Sequence, residues 1–178
     1  MAFALFLLAG AHAPANAEDA AAPPSKPAWD RAANIRDAAE RIGRIQRVQG
    51  AEGAIKFIDA CYRTHGLASA YTAAFEACIA QDYLETKLLT RIYARLPPET
   101  LKKLGAPTAE LLAQSLGHRI VAAFSQYKVS VADAESFKAE VDTHGLPVFL
   151  KTVFPNAEAE RAAREADKTS KPDGKEKK

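Results

Sequence analysis

The chain has 178 residues, 48% hydrophobic and 26% charged, a balance that suits one globular domain and is too apolar for disorder throughout. Its 24 basic and 22 acidic side chains leave a formal charge of +2, which excludes the strong basic excess of a dedicated nucleic-acid binder. Two cysteines exclude a disulfide-dense scaffold and a four-thiolate zinc site. Alanine makes up about a fifth of the chain while glycine and aromatics are sparse, which favours helices over strands.

The first segment reads as an export signal. Residues 3–9 form a short apolar run, followed by Pro14 and the small-residue pattern Ala15-Asn16-Ala17, so cleavage is expected after Ala17. No Lys or Arg precedes the run, a departure from the usual pattern. The competing reading is an apolar helix packed on the domain. The run falls far short of the ~20 apolar residues of a spanning helix, and no later stretch approaches that length, so no membrane span is expected. These features place the mature protein in the periplasm or outside a bacterial cell. Residues 18–28, rich in Pro and Ala, read as a linker. Residues 156–178 carry seven basic and six acidic side chains and no large apolar residue; they read as a charged tail, disordered over its last ten positions, with a helix at 157–168. The folded domain is expected over 29–155.

That domain reads as all-α, a compact bundle of about five to six helices with disordered termini. Ile35, Ala39, Ile42 and Ile45 make one helical stripe over 30–49, with Arg36, Arg41, Arg44 and Arg47 on the outer face and Gly50 as the stop. A second helix covers 52–64, with Ile55, Ile58 and Cys61 on one side. A third carries Phe75, Cys78, Ile79, Asp82 and Leu89 and ends by Pro97. A short helical turn over 99–104 precedes Gly105. A fourth helix starts at the N-cap Thr108, and a fifth at Ser130 with Asp133 in the reciprocal capping position. The fifth is expected to end at His144-Gly145, before a last apolar piece containing Val148, Phe149 and Leu150. No alternating run bounded by a hairpin turn predicts a sheet.

In an exported protein, Cys61 and Cys78 should be joined. Their Cα atoms must then approach within ~7 Å. A third helix starting at Ser69 would leave the two cysteines at different distances from the bend; a start at Thr72 brings them level. A disulfide-bridged helical hairpin with residues 65–71 as its connection is therefore expected, against the alternative of two free thiols.

Few residues suggest chemistry. Thr-His-Gly-Leu occurs at 64–67 and again at 143–146, after amphipathic helices. The structural reading is a helix stop, with histidine on the last carbonyls and glycine in the left-handed position. The functional reading pairs His65 with His144 as a metal or acid–base site, with Asp59, Glu140 or Asp142 as carboxylate. Asp82 falls on the apolar stripe of the third helix. It is read first as solvated where the stripe reaches the surface, then as an ion pair with Arg91 or Arg119, and last as a ligand-facing acid; His65, His144 and Asp82 are the catalytic candidates. His118 and Arg119 flank Gly117, which is expected to admit a neighbouring helix. Tyr71, Tyr83 and Tyr93, with Tyr62 and Tyr127, are expected at core rims with wet hydroxyls; Tyr71, Tyr83, Tyr93, His118 and Arg119 are the binding candidates. There is no phosphate loop, nucleophile elbow, His-Glu-x-x-His or dinucleotide fingerprint, and no cofactor or metal is implied. The favoured expectation is a non-enzymatic envelope protein that binds a protein partner or a small apolar ligand between helices. The alternatives are a small periplasmic enzyme using His65 and His144, and a role for the charged tails themselves. The oligomeric state is left open.

Overall fold

The computed structural model describes residues 28–157. The expected leader, all but the last residue of the linker, and the tail beyond Ala157 lie outside the described residues. Among the described residues there is no strand, and no helix is long and apolar enough to cross a membrane.

Helix α1, Arg31–His65, contains two limbs separated by a reversal. Asp30 caps it by accepting from the Ala33 amide at 3.0 Å. Gly50 adopts φ 68°, ψ −171°, a conformation nearly exclusive to glycine, and the helix resumes at once beyond it. The size of the turn follows from two contacts. Asn34 Nδ2 donates to the Ala73 carbonyl at 2.9 Å, and the Cα atoms of Cys61 and Cys78 lie 5.7 Å apart. A straight helix would separate Asn34 from Cys61 by about 40 Å, while Ala73 and Cys78 are about 8 Å apart along their own helix. The two limbs therefore fold back on each other. Residues 31–49 run alongside α2, and residues 51–65 return against it.

Helix α2, Ala73–Tyr93, is the central element, and Thr72 caps it as expected by accepting from the Phe75 amide. Both limbs of α1 pack on it, as do α4 and the segment after α5. It is consequently buried nearly all round, from Phe75 to Leu89. Five of its buried residues are polar: Glu76, Gln81, Asp82, Glu85 and Thr86. The disulfide between Cys61 and Cys78 ties it to the returning limb of α1, which establishes the bridged hairpin.

Helix α3, Pro98–Leu104, closes on Gly105 at φ 61°. Helix α4, Ala109–Gln126, starts at Thr108, and α5, Val131–Glu140, starts at Ser130, whose hydroxyl accepts from the Asp133 amide and donates to its carboxylate. The expected stop at His144-Gly145 does not occur. A π-helical turn over Val141–Gly145 leads straight into α6, Leu146–Val153. Pro147 has no amide to donate, and the widened turn shifts the register ahead of it, with the Leu146 amide bonded to the Val141 carbonyl.

Neither glycine of the repeated tetrapeptide is left-handed: Gly66 lies at φ −74° and Gly145 at φ −90°. Gly145 serves close approach instead. A Cβ there would meet Ile35 Cγ2 at 2.9 Å and Leu84 Cδ1 at 3.4 Å, where α1, α2 and the π turn converge. Gly117 is the converse case. A Cβ there would meet nothing within 4 Å, so no helix packs on it, contrary to expectation.

Candidate functional site

The polar residues of α2 organise the molecule around two buried carboxylates. Glu76, fully buried, accepts from Trp29 Nε1 at 2.8 Å, Arg31 Nε at 2.9 Å, Tyr71 hydroxyl at 3.1 Å and Asn34 Nδ2 at 3.3 Å. This hub pins the start of α1 to the start of α2, and Arg31 reaches on to Glu140 at 3.3 Å. Tyr71 also packs against Trp29, Phe75, Phe124 and Tyr127.

Asp82 is the second. It is 4% exposed, so the solvated reading fails and the ion pair replaces it. Arg119 of α4 approaches side-on, with Nε 2.8 Å from Oδ2 and Nη2 2.7 Å from Oδ1. Tyr62 hydroxyl donates to Oδ2 at 3.1 Å and Thr86 hydroxyl to Oδ1 at 3.1 Å. The hydrogen bonds that Arg119 donates to Asp82, opposed by burial, raise the Arg119 pKa above its ordinary value. Burial first, and the Asp82 charge second, push the Tyr62 hydroxyl well above the usual phenol range.

These groups sit in the floor of a groove between the returning limb of α1 and α4, which both pack on α2. One end is an apolar cleft of about 650 Å³, with Tyr62, Leu67 and Phe75 facing Ala122, Ala123 and Gln126. The other end is a half-open chamber of about 310 Å³ lined by Ile55, Ile58, Leu89 and Leu112, with Asp59, Asp82, Glu85 and Thr86. Tyr62 and Arg119 line both, so these two partners of Asp82 form a border common to the cleft and the chamber. The α1–α2 connection that borders the cleft is held by α4: Gln126 Nε2 donates to the Gly66 carbonyl at 2.6 Å, and Tyr127 hydroxyl reaches the Gly66 and Ala68 carbonyls at 3.1 Å each.

Glu85 is the anomaly of the groove. It is 1% exposed, and neither carboxyl oxygen has a hydrogen-bond partner in the protein. Burial pushes its pKa up to about 7. Gln81, one turn earlier, is fully buried with both side-chain polar atoms unpartnered. Sequence reading missed Glu76, Gln81 and Glu85. A signal for the last two was present: once Cys78 is bound to α1, the residues three and seven positions later must share its face.

The sequence-derived candidates divide between the groove and elsewhere. Arg119 and Asp82 lie in the groove. Tyr71 belongs to the Glu76 hub. Tyr83 bonds Asp142 at 3.1 Å, and Lys87 bonds the same carboxylate at 2.5 Å, away from the groove. The hydroxyls of Tyr62, Tyr71 and Tyr83 are thus given to carboxylates rather than left wet. Tyr93 is half-buried at the end of α2, and His118 is exposed on α4. His65 ends α1 and His144 lies within the π turn. Each carboxylate offered to them is engaged elsewhere: Asp59 with Arg63, Glu140 with Arg31 and Ser136, and Asp142 with Tyr83 and Lys87. Among the described residues no group of three His, Cys, Asp or Glu side chains is placed to hold a metal. Neither histidine takes the expected bond to its helix's last carbonyls; at Gly66 the closing bond is the amide to Tyr62 carbonyl at 2.7 Å.

No protein-family model, curated protein or solved structure matches the chain.

Proposed function

We propose that this is an exported, non-enzymatic binding protein of the bacterial envelope that holds a small amphipathic ligand in the groove between α1 and α4. The apolar cleft carries the proposal. At about 650 Å³ it is in the size range of small-molecule sites, and its apolar walls end on a few fixed polar groups, the usual composition of such sites. Export is supported by the leader-like start of the chain and by the Cys61–Cys78 disulfide, which persists in oxidising compartments. A binding role without chemistry is supported by the carboxylates expected to serve the two histidines, each of which is bonded to another side chain.

The test is a titration of the oxidised protein with N-phenyl-1-naphthylamine, a neutral dye that brightens in apolar sites. Saturable one-to-one binding is expected. Ala122→Trp, at an exposed wall position, should weaken it at least tenfold while leaving the melting temperature unchanged. Failure to saturate, or equal binding by the variant, overturns the proposal.

A further inference from the structure

We infer that the polar end of the ligand is an alkylammonium group, held in the chamber with Glu85 as its counter-charge. This rests on the groove being the binding site and adds the class of ligand it takes. Around the chamber four of the five Arg119 N–H donors and both hydroxyls are already engaged. Arg119 gives Nε to Asp82, Nη2 to Asp82 and Thr86, and Nη1 to Ser115 at 2.7 Å. The hydroxyls of Tyr62 and Thr86 both donate to Asp82. Asp82 and Asp59 are in turn matched by Arg119 and Arg63. Among the residues lining the chamber, what remains unmatched is the carboxyl of Glu85, both oxygens buried and without a partner; the unpartnered Gln81 amide does not line it.

An ionised carboxylate offers about four lone-pair positions and no donor. Burying it unbonded is costly, and a ligand bearing several N–H donors and a positive charge removes that cost. An anionic head would meet Glu85 with no free cation to offset it. A neutral alcohol would satisfy one acceptor and leave the charge. The apolar residues around the chamber suit the methylenes next to an ammonium.

Isothermal titration with decylammonium and decanoate below their micelle concentrations, and with decanol below its solubility limit, tests the assignment. At pH 8 Glu85 is ionised, since its pKa is pushed up only to about 7. Decylammonium should bind at least tenfold more tightly than decanol, and decanoate most weakly. Glu85→Gln should abolish the preference for the amine and keep the decanol affinity within twofold. Equal affinity for the amine and the alcohol in the unsubstituted protein overturns the ammonium assignment and leaves the groove as the site. A preference for the amine that survives Glu85→Gln overturns the role of Glu85. If none of the three binds, the groove itself is not the site, and the reading beneath the inference falls with it.

Discussion

Asp82 of α2 and Arg119 of α4 are joined by two parallel charge-assisted hydrogen bonds of 2.8 and 2.7 Å, and their burial is unequal. The Asp82 side chain is 6% exposed and that of Arg119 40%. The pair therefore behaves asymmetrically when broken. Removing Arg119 strands a carboxylate that cannot reach water, whereas Arg119 left alone can turn outward.

Arg119→Met should cost about 3 kcal/mol, the lower end of the range for stranding a buried charge, because Tyr62 and Thr86 still donate to Asp82. Adding Asp82→Asn should recover about 2 kcal/mol of this, since the uncompensated charge is then gone. Urea unfolding at pH 7, followed by the fluorescence of the single tryptophan, Trp29, reads both values. An additive double variant would show that the pair is not energetically coupled.

Glu85 makes stability depend on pH in a direction opposite to the usual carboxylate. Its folded pKa is raised to about 7 by burial, above the ordinary value of about 4.3. Between these values the folded state holds a proton that the unfolded state has lost, so stability falls as pH rises through the interval and is level above about pH 7. The groups around it, Asp59, Asp82, Tyr62 and Arg119, are paired among themselves or with Arg63, whereas Glu85 has no partner. Relative to Glu85→Gln, the unsubstituted protein should lose roughly 1.4 kcal/mol per pH unit from pH 5 to 7, about 3 kcal/mol in all. Chemical denaturation of both proteins across pH 5 to 8 measures the difference directly. Parallel curves would mean that the carboxyl is hydrated inside the chamber.

Local signals in the sequence were strong enough to place most helix ends. Thr72, Thr108 and Ser130 cap the helices that follow them because short hydroxyl side chains satisfy amides that the helix leaves open. Gly50 ends the first limb as read, but the fold-back depends on a φ of 68°, which periodicity does not carry. The π turn was hidden for a related reason. His-Gly before Leu-Pro has the composition of a stop, and only the packing of Gly145 against Ile35 and Leu84 makes continuation preferable. The groove was half legible. Asp82 stood out as a charge on an apolar stripe, whereas Glu85 and Glu76 look like ordinary helix residues until the crowding around α2 buries them.

The disulfide joins this stability to the binding surface. Cys61 and Cys78 are 17 residues apart in sequence, a loop for which chain entropy suggests about 3 kcal/mol. The loop it closes carries Tyr62, Gly66 and Leu67, one wall of the cleft. Cys61→Ala/Cys78→Ala should therefore lower the unfolding free energy by about 3 kcal/mol and also weaken dye binding, because a looser wall must be ordered when the ligand enters. Both measurements are made without reductant. A stability loss with unchanged affinity would separate the bridge from the site.

Two glycine-to-alanine substitutions should have opposite signs, and together they test the reversal in α1. At Gly50 the backbone occupies φ 68°, ψ −171°, a region closed to residues with a Cβ, so Gly50→Ala should cost about 1 to 3 kcal/mol. It would also favour continuation of a straight helix, which cannot keep both Asn34 and Cys61 on the first turns of α2. Gly117 lies inside α4 with open space where a Cβ would stand, so Gly117→Ala should add about 0.5 to 1 kcal/mol by restricting the unfolded chain. Thermal melts of the two variants beside the parent give the comparison. If Gly50→Ala were neutral, the reversal would not depend on the left-handed backbone at that position, and the packing of both limbs on α2, with the Glu76 hub and the disulfide, would suffice to hold it.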